Sequence, residues 1–379
     1  MKIVVDANIP LVTEFFSSVG EVIAFPPRDI HREHLLTADA LVVRSVKKID
    51  SEMLRDTTVK FVGTCTAGFD HLDTQAMEAM DITWRNAPGC NAKAVVEYIF
   101  SVLSALELSW QNAVVGIVGC GNVGGLLHRR LSQFGVRCRC FDPFLNREQN
   151  QDLGDLETVL QSDIICLHTP LTRDGPHPSL HLLNAKRLQT LKSGTVLINA
   201  GRGPAIDNQA LLQLLRQRKD IRCVLDVWED EPNIPLALAE QLSIATPHIA
   251  GHSYDGKIGG TEQIYQALCA FLQIEPAVKL RDIVPDPDLP AIQIDPNHDQ
   301  PTISQAILSA YDVRQDHQNL MTCLTAGEDA AQCFDRLRKN YAKRREFFNY
   351  KVAISGNETA EVIQRLQALE FQITSDRPY

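Results

Sequence analysis

Nine short runs rich in valine and isoleucine, each separated from the next by a stretch of helical period, fill the chain as far as residue 227. No other feature constrains the fold as strongly. The runs are 2–6 (KIVVD), 21–25 (EVIAF), 40–44 (ALVVR), 61–65 (FVGTC), 114–119 (VVGIVG), 137–142 (RCRCFD), 164–169 (IICLHT), 195–200 (TVLINA) and 222–227 (RCVLDV). A short apolar run between helical segments reads as a strand, and regular alternation of the two means parallel sheets covered by helices. Nine strands are too many for one compact unit, and a long amphipathic helix over about 91–109 separates the first set from the second. The expected fold is α/β, with two doubly wound parallel-sheet (Rossmann-like) domains. In this reading a helix over about 256–274 packs back on the first domain. That domain is then discontinuous, 1–92 with 250–280, around a second domain at 93–249.

After residue 275 the texture changes. Pro276, Pro285, Pro287, Pro290, Pro296 and Pro301 crowd one stretch that cannot sustain a helix or a central strand, so a linker or extended arm is expected. Residues 302–345 read as helices with charged faces, and 350–375 (YKVAISGNETAEVIQRLQALEFQITS) as strand, helix, strand. These make a third, C-terminal α/β domain over 286–379. With 379 residues, 44% of them hydrophobic, there is enough chain for such cores.

A net charge of -10 argues against a general nucleic-acid or anionic-membrane surface, so an anionic ligand has to be held by local positive groups. The opening MKIVVDANIP has no basic region leading into a long apolar core, and no later stretch approaches the roughly 20 apolar residues that span a bilayer. A cytoplasmic protein is expected. The ten cysteines show no C-x-x-C pairing, and Cys65, Cys138, Cys140, Cys166 and Cys223 sit in apparent strands. The expectation is reduced cysteines acting as small hydrophobes, with no disulfides and no metal site.

In VVGIVGCGNVGGLLHRRL, Gly119, Gly121 and Gly124 lie between an apolar strand and a helix. That context turns a weak glycine pattern into a dinucleotide signal, because the helix N-terminus can present free N–H groups to a pyrophosphate. The next strand ends in Asp142, placed to accept hydrogen bonds from both ribose hydroxyls and to repel a 2'-phosphate, which favours NAD over NADP. Nearby Arg147 works in the opposite sense. The residues expected at the cofactor are Gly119, Gly121, Asn122, Val123, Gly124, Asp142, Thr169, Asp226 and Gly251. For Thr169 a turn role, and for Asp226 a capping role, stand as equal alternatives.

Three charged residues follow strands in the second half: Arg202 in INAGRGPAID, Glu231 in VWEDEP and His248 in TPHIAGHS. Singly, each has a dull explanation as a surface, solvated or structural residue. Together they make a set for removing hydride from a secondary alcohol: an imidazole base for the hydroxyl proton, a carboxylate to fix its tautomer, and a guanidinium to hold a substrate carboxylate. In the first domain's strand-end loops and at the start of the next helix, Arg44, Lys47, Lys48 and Lys93 could bind a terminal phosphate, against the alternative of solvated surface cations.

Over about residues 1–275 the chain resembles the D-isomer-specific 2-hydroxyacid dehydrogenase family. GCGNVG with Asp142, LHTPLT, INAGRGPAIDNQALLQLL, LDVWEDEP and PHIAGHS come in the family's order and spacing. The resemblance implies an NAD-dependent enzyme acting on a small 2-hydroxy acid, with Arg202, Glu231 and His248 as the catalytic set. VVRSVKKID, GTCTAGFDHLD, NAPGCNAKAVVEYIF and the tail with YDVRQD narrow it to a branch with a phosphorylated substrate. In that branch Ser45 and Thr66 would contact substrate and the tail would make a homodimer. His252 stands where the branch has a substrate-contacting Tyr. The expected substrate contacts are thus Arg44, Ser45, Thr66, Lys93 and His252. Two alternatives remain open: another member of the family, such as one oxidising 3-phosphoglycerate, and an NAD-sensing interaction protein without turnover.

Overall fold

A computed structural model describes residues 1–285, 287–295, 298, 300–354 and 359–375. Contacts divide the chain into two compact units, Met1–Asn91 with His252–Pro287, and Ala92–Gly251 with the described residues from Asp288 onward. In the first unit β1 (Lys2–Asp6), β2 (Glu21–Phe25), β3 (Ala40–Val43), β4 (Phe61–Thr64) and β5 (Thr83–Asn86) form a parallel sheet in the order β2-β1-β3-β4-β5. The second unit holds β6 (Val114–Val118), β7 (Arg137–Phe141), β8 (Ile164–Leu167), β9 (Val196–Asn199), β10 (Arg222–Leu225) and β11 (Ile244–Ala245). These run parallel in the order β11-β10-β9-β8-β6-β7.

Both sheets are doubly wound: the second strand lies on one side of the first, and the later ones extend on the other side. Ligands of such sheets bind beyond the carboxyl ends at the point where the order reverses. In the second unit that point lies between β6 and β8. Register sharpens this, because Val118, Leu167, Asn199, Leu225 and Ala245 are successive partners across five strands. The segments after β6, β8, β9, β10 and β11 therefore leave the sheet along one edge.

All nine expected strands form, most of them one or two residues shorter than read. Three more appear. β5 (TWRN) is an edge strand with Arg85 exposed, while β11 and β12 (Ile292–Gln293) have two residues each and show no periodicity. β12 lies at the edge of a small parallel sheet with β13 (Lys351–Ile354) and β14 (Gln372–Ser375), a place where neighbouring prolines are tolerated. Pro296, and residues 355–358 of the expected strand-helix-strand, lie outside the described residues.

Two expectations are corrected. The separating helix is Ala92–Ala105, and it is not amphipathic, since every residue from Ala94 to Ser104 is buried. Phe100 packs against Trp110 and Phe134, and the C-terminal helix Thr302–Ala310 lies on the same helix, with Ile303, Ala306 and Ile307 in the shared core. A helix buried all round needs a second partner, and the tail supplies it. The cysteines are also not all reduced. Cys323 and Cys333 form a disulfide, with Cα atoms 6.1 Å apart, joining the helices Val313–Thr325 and Ala330–Lys339. A ten-residue separation across a helical hairpin has no C-x-x-C signature, which is why spacing did not show it. The other eight cysteines are in no disulfide.

Polar hooks fix the tail on the buried helix. Ser101 Oγ donates to the Tyr311 carbonyl at 2.7 Å and accepts from Val313 N–H at 3.0 Å, and Glu97 accepts from Phe347 N–H at 2.8 Å. Replacing Ser101 by Ala strands two buried backbone groups at once. Ser101→Ala should lower the unfolding free energy by about 2 kcal/mol or more, read by urea denaturation, because each orphaned group costs about 1–3 kcal/mol.

Candidate active site

At the edge where β6 and β8 end, Gly119 turns the chain so closely that a Cβ would lie 3.0 Å from the His168 backbone. The helix Asn122–Gln133 follows, seated so tightly that a Cβ on Gly124 would come within 1.9 Å of the Gly119 carbonyl oxygen. Its N-terminus has no side-chain cap, Asn122 is exposed, and nothing lies within 4 Å of a Cβ built on Gly121. First-turn N–H groups left open in this way form an anion site.

Asp142, at the end of β7, accepts from Cys120 N–H at 2.9 Å and Phe144 N–H at 3.0 Å, which ties the carboxylate to the glycine turn. Beyond β8, Thr169 Oγ1 is buried with no hydrogen-bond partner among the described residues, an orphan that a ligand would satisfy. An open helix N-terminus, a carboxylate at the next strand end and an unsatisfied hydroxyl fit a dinucleotide. Val123 and Gly251 are half-buried.

Asp226 shows the capping alternative. It is 1% exposed, and it accepts from Thr246 Oγ1 at 2.7 Å, Ile249 N–H at 2.8 Å and Ala250 N–H at 2.9 Å, while its carbonyl accepts from His248 N–H at 2.7 Å. These four bonds hold His248 at φ 54°, in the left-handed region that a side chain rarely adopts. So held, His248 Nδ1 lies 2.7 Å from Glu231 Oε2. Glu231 Oε1 accepts from Trp228 N–H at 2.8 Å. Burial alone would raise the Glu231 carboxyl, but His248, the Trp228 N–H and the Arg338 guanidinium outweigh it and hold the group below the usual carboxylate range.

Arg202 follows β9, the strand next to β10. Its loop is fixed by the fully buried Asn199, whose Nδ2 donates to the Arg202 carbonyl at 3.0 Å and whose Oδ1 accepts from Gly201 N–H at 3.1 Å. The loop also presses on the Glu231 turn, since a Cβ on Gly203 would lie 1.9 Å from the Trp228 carbonyl oxygen. Arg202, Glu231 and His248 thus stand after three successive strands of one sheet, with the Glu231 turn against the Arg202 loop on one side and bonded to His248 on the other.

In the first unit Arg44 and Ser45 follow β3, and Thr66 follows β4, at the carboxyl ends of adjacent strands. Ser45 is exposed and Arg44 half-buried. Thr66 Oγ1 donates to the Gly68 carbonyl at 2.8 Å and meets Thr64 Oγ1 at 2.8 Å. His252 is half-buried at the start of that unit's second segment. Lys93 departs from its expected role: its Nζ pairs with Glu370 at 2.8 Å and lies 5.1 Å from the Phe348 ring centre, so its charge is turned to the tail. Lys48 has only a 4.0 Å pairing with Asp50.

Sequence reasoning missed other groups here. His168, inside the quoted LHTPLT run, has both ring nitrogens buried and unpartnered among the described residues, and burial pushes its imidazole down to about 4, so it is neutral. His181 and Glu229 form a second imidazole-carboxylate pair, with Glu229 Oε2 also accepting from Asn208 N–H at 3.1 Å. Neither carried a motif beyond its neighbours. Among the described residues no group of three or more His, Cys, Asp or Glu is arranged to hold a metal ion, and no helix is long and apolar enough to cross a membrane.

Residues 93–250 match the NAD binding domain of the D-isomer specific 2-hydroxyacid dehydrogenases, and residues 283–367 match a domain of unknown function, DUF3410. The chain is 47% identical over 366 residues to an erythronate-4-phosphate dehydrogenase of Cellvibrio japonicus, covering 95% of this chain and 97% of that one. It is 42% identical to one from Teredinibacter turnerae, covering 99% and 100%. Among solved structures, the NAD+-bound 3-phosphoglycerate dehydrogenase of Entamoeba histolytica superposes with a TM-score of 0.62 at 24% identity, covering 72% of this chain and 95% of that one. The Aquifex aeolicus D-lactate dehydrogenase, complexed with NAD and lactic acid, gives 0.62 at 22% identity, covering 72% and 96%. These two share the fold. The chain belongs to the erythronate-4-phosphate dehydrogenase family, within the NAD-dependent D-isomer specific 2-hydroxyacid dehydrogenases.

Proposed function

We propose that the chain oxidises the C2 hydroxyl of 4-phospho-D-erythronate to 2-oxo-3-hydroxy-4-phosphobutanoate, in the biosynthesis of pyridoxal 5'-phosphate, using His248 as base. The observation that carries this reading is the 2.7 Å contact of His248 Nδ1 with Glu231 Oε2. With a proton on Nδ1 donated to the carboxylate, Nε2 keeps its lone pair for the substrate hydroxyl, and the imidazolium formed is stabilised by its partner. Arg202 holds the substrate carboxylate in a bidentate grip and polarises the developing carbonyl. Gly119, Gly121, Asn122, Val123, Gly124, Asp142, Thr169 and Gly251 would seat NAD, which when bound would supply the hydride acceptor. Arg44, Ser45, Thr66 and His252 are assigned to substrate, and Asp226 to holding the His248 turn.

In the same reading 1–92 with 250–280 bind substrate, 93–249 bind NAD, and 286–379 pair two copies in the cytoplasm. Identity of 42–47% over nearly the whole chain supports this substrate over 3-phosphoglycerate. The hydrogen-bonded pair of His248 and Glu231 favours turnover over cofactor sensing alone.

His248→Asn should lower kcat by about 10²–10⁴-fold, followed as NADH formation at 340 nm with 4-phospho-D-erythronate, which is the usual contribution of a positioned base. A variant turning over at the wild-type rate would remove the mechanism.

Glu231→Gln should lower kcat, because His248 Nδ1 loses the carboxylate that fixes its tautomer. An unchanged kcat would deny the pairing. Because the folded Glu231 carboxyl lies below its ordinary value, its stabilisation is complete above that ordinary value and is lost as pH falls through the folded one.

Asp142→Ala should weaken NAD and narrow the preference over NADP in steady-state kcat/KM, as expected when a ribose-diol contact is lost. Equilibrium sedimentation should give twice the 42.2 kDa chain mass, and a monomer would contradict the assignment of 286–379.

A further inference from the structure

The turn that carries His248 is gripped from its second side by the C-terminal segment. Arg344, 7% exposed, donates from Nη2 to the Ala250 carbonyl at 2.7 Å and to the Ala94 carbonyl at 2.8 Å. Ala250 lies two residues after His248. Three residues before it, Ala245 N–H, on the outer side of edge strand β11, donates to His317 Nδ1 at 3.0 Å. Asp226 binds the same turn from the sheet side.

Arg344 is itself well fixed. Its guanidinium lies 4.2 Å from the Tyr311 ring centre, and the Tyr311 and Tyr341 hydroxyls both donate to Asp316 Oδ2, at 2.7 and 2.9 Å. A buried cation is costly unless it is used, and here Nη2 serves two backbone carbonyls, one of them in the His248 turn, while Nε and Nη1 have no hydrogen-bond partner among the described residues. Packing alone would not need a charge: Ile303, Ala306 and Ile307 already cover the helix Ala92–Ala105 with apolar surface.

We infer that the segment 283–367, which matches a domain of unknown function, positions the catalytic turn, with Arg344 and His317 as positioning residues that hold His248 against Glu231. This rests on the reading of His248 as base. It gives the segment a part in turnover distinct from joining two copies.

The test is steady-state turnover of 4-phospho-D-erythronate by the full chain, with NAD affinity measured separately by fluorescence titration. Arg344→Met should lower kcat by about 10–100-fold, the scale of a small misplacement of a reacting group, with the Kd for NAD within about twofold of wild type. Arg344→Lys should restore most of the loss, since an ammonium has three donors for the two carbonyls. His317→Leu should lower kcat in the same way, and it carries the test if Arg344→Met does not fold. Folded variants with wild-type kcat would overturn the inference, and so would equal losses in kcat and NAD affinity or failure of Arg344→Lys to recover activity. If His248→Asn is inactive while both positioning variants are normal, only this inference falls. If His248→Asn is active, the reading beneath it falls.

Discussion

The arrangement depends on one buried carboxylate. Asp226 accepts two consecutive backbone N–H groups and a threonine hydroxyl, and its own carbonyl takes the N–H of His248. A left-handed backbone at a non-glycine residue costs free energy and persists only where its surroundings over-determine it. Four hydrogen bonds, each worth about 0.5–1.5 kcal/mol net, are ample to hold it. With that turn fixed, the imidazole has one carboxylate in reach, Glu231, and that carboxylate is itself fixed by Trp228 N–H. The proposed chemistry draws on residues distant in sequence, because strand register delivers their turns to one edge.

Much of this was legible in the residues. Apolar runs named the strands, and a glycine run between strand and helix named the anion site, because both signals are local and periodic. The pairing of His248 with Glu231 was readable as chemistry, since a base needs an orienting acid, although its geometry was not. Lys93 shows the limit. Its position suggested a phosphate, but the ammonium meets Glu370, a residue 277 positions away that no local pattern links to it. The helix Ala92–Ala105 misled for the same reason: a second apolar face is invisible as such until its partner is known. Cys323 and Cys333 were hidden by a helical hairpin whose turn sets their separation. Asp226 was legible as a choice between two roles, and only coordinates count its hydrogen bonds.

The tail is more than an appendage to a two-sheet enzyme. It buries the outer face of Ala92–Ala105, satisfies Glu97 and Ser101, and brings an arginine to the carbonyl two residues beyond His248. The Arg338 guanidinium, from the same segment, adds to the positive field on Glu231. A sheet edge whose loops carry the proposed catalytic set gains rigidity when those loops are packed on both sides.

The central claim is that Glu231 dictates which nitrogen of His248 carries the proton. Nitrogen-15 NMR of imidazole-labelled protein, recorded above the pH at which that ring titrates, reads this directly. The account predicts His248 with its proton on Nδ1 and a bare Nε2. A spectrum showing the proton on Nε2, with Nδ1 bare, would contradict it.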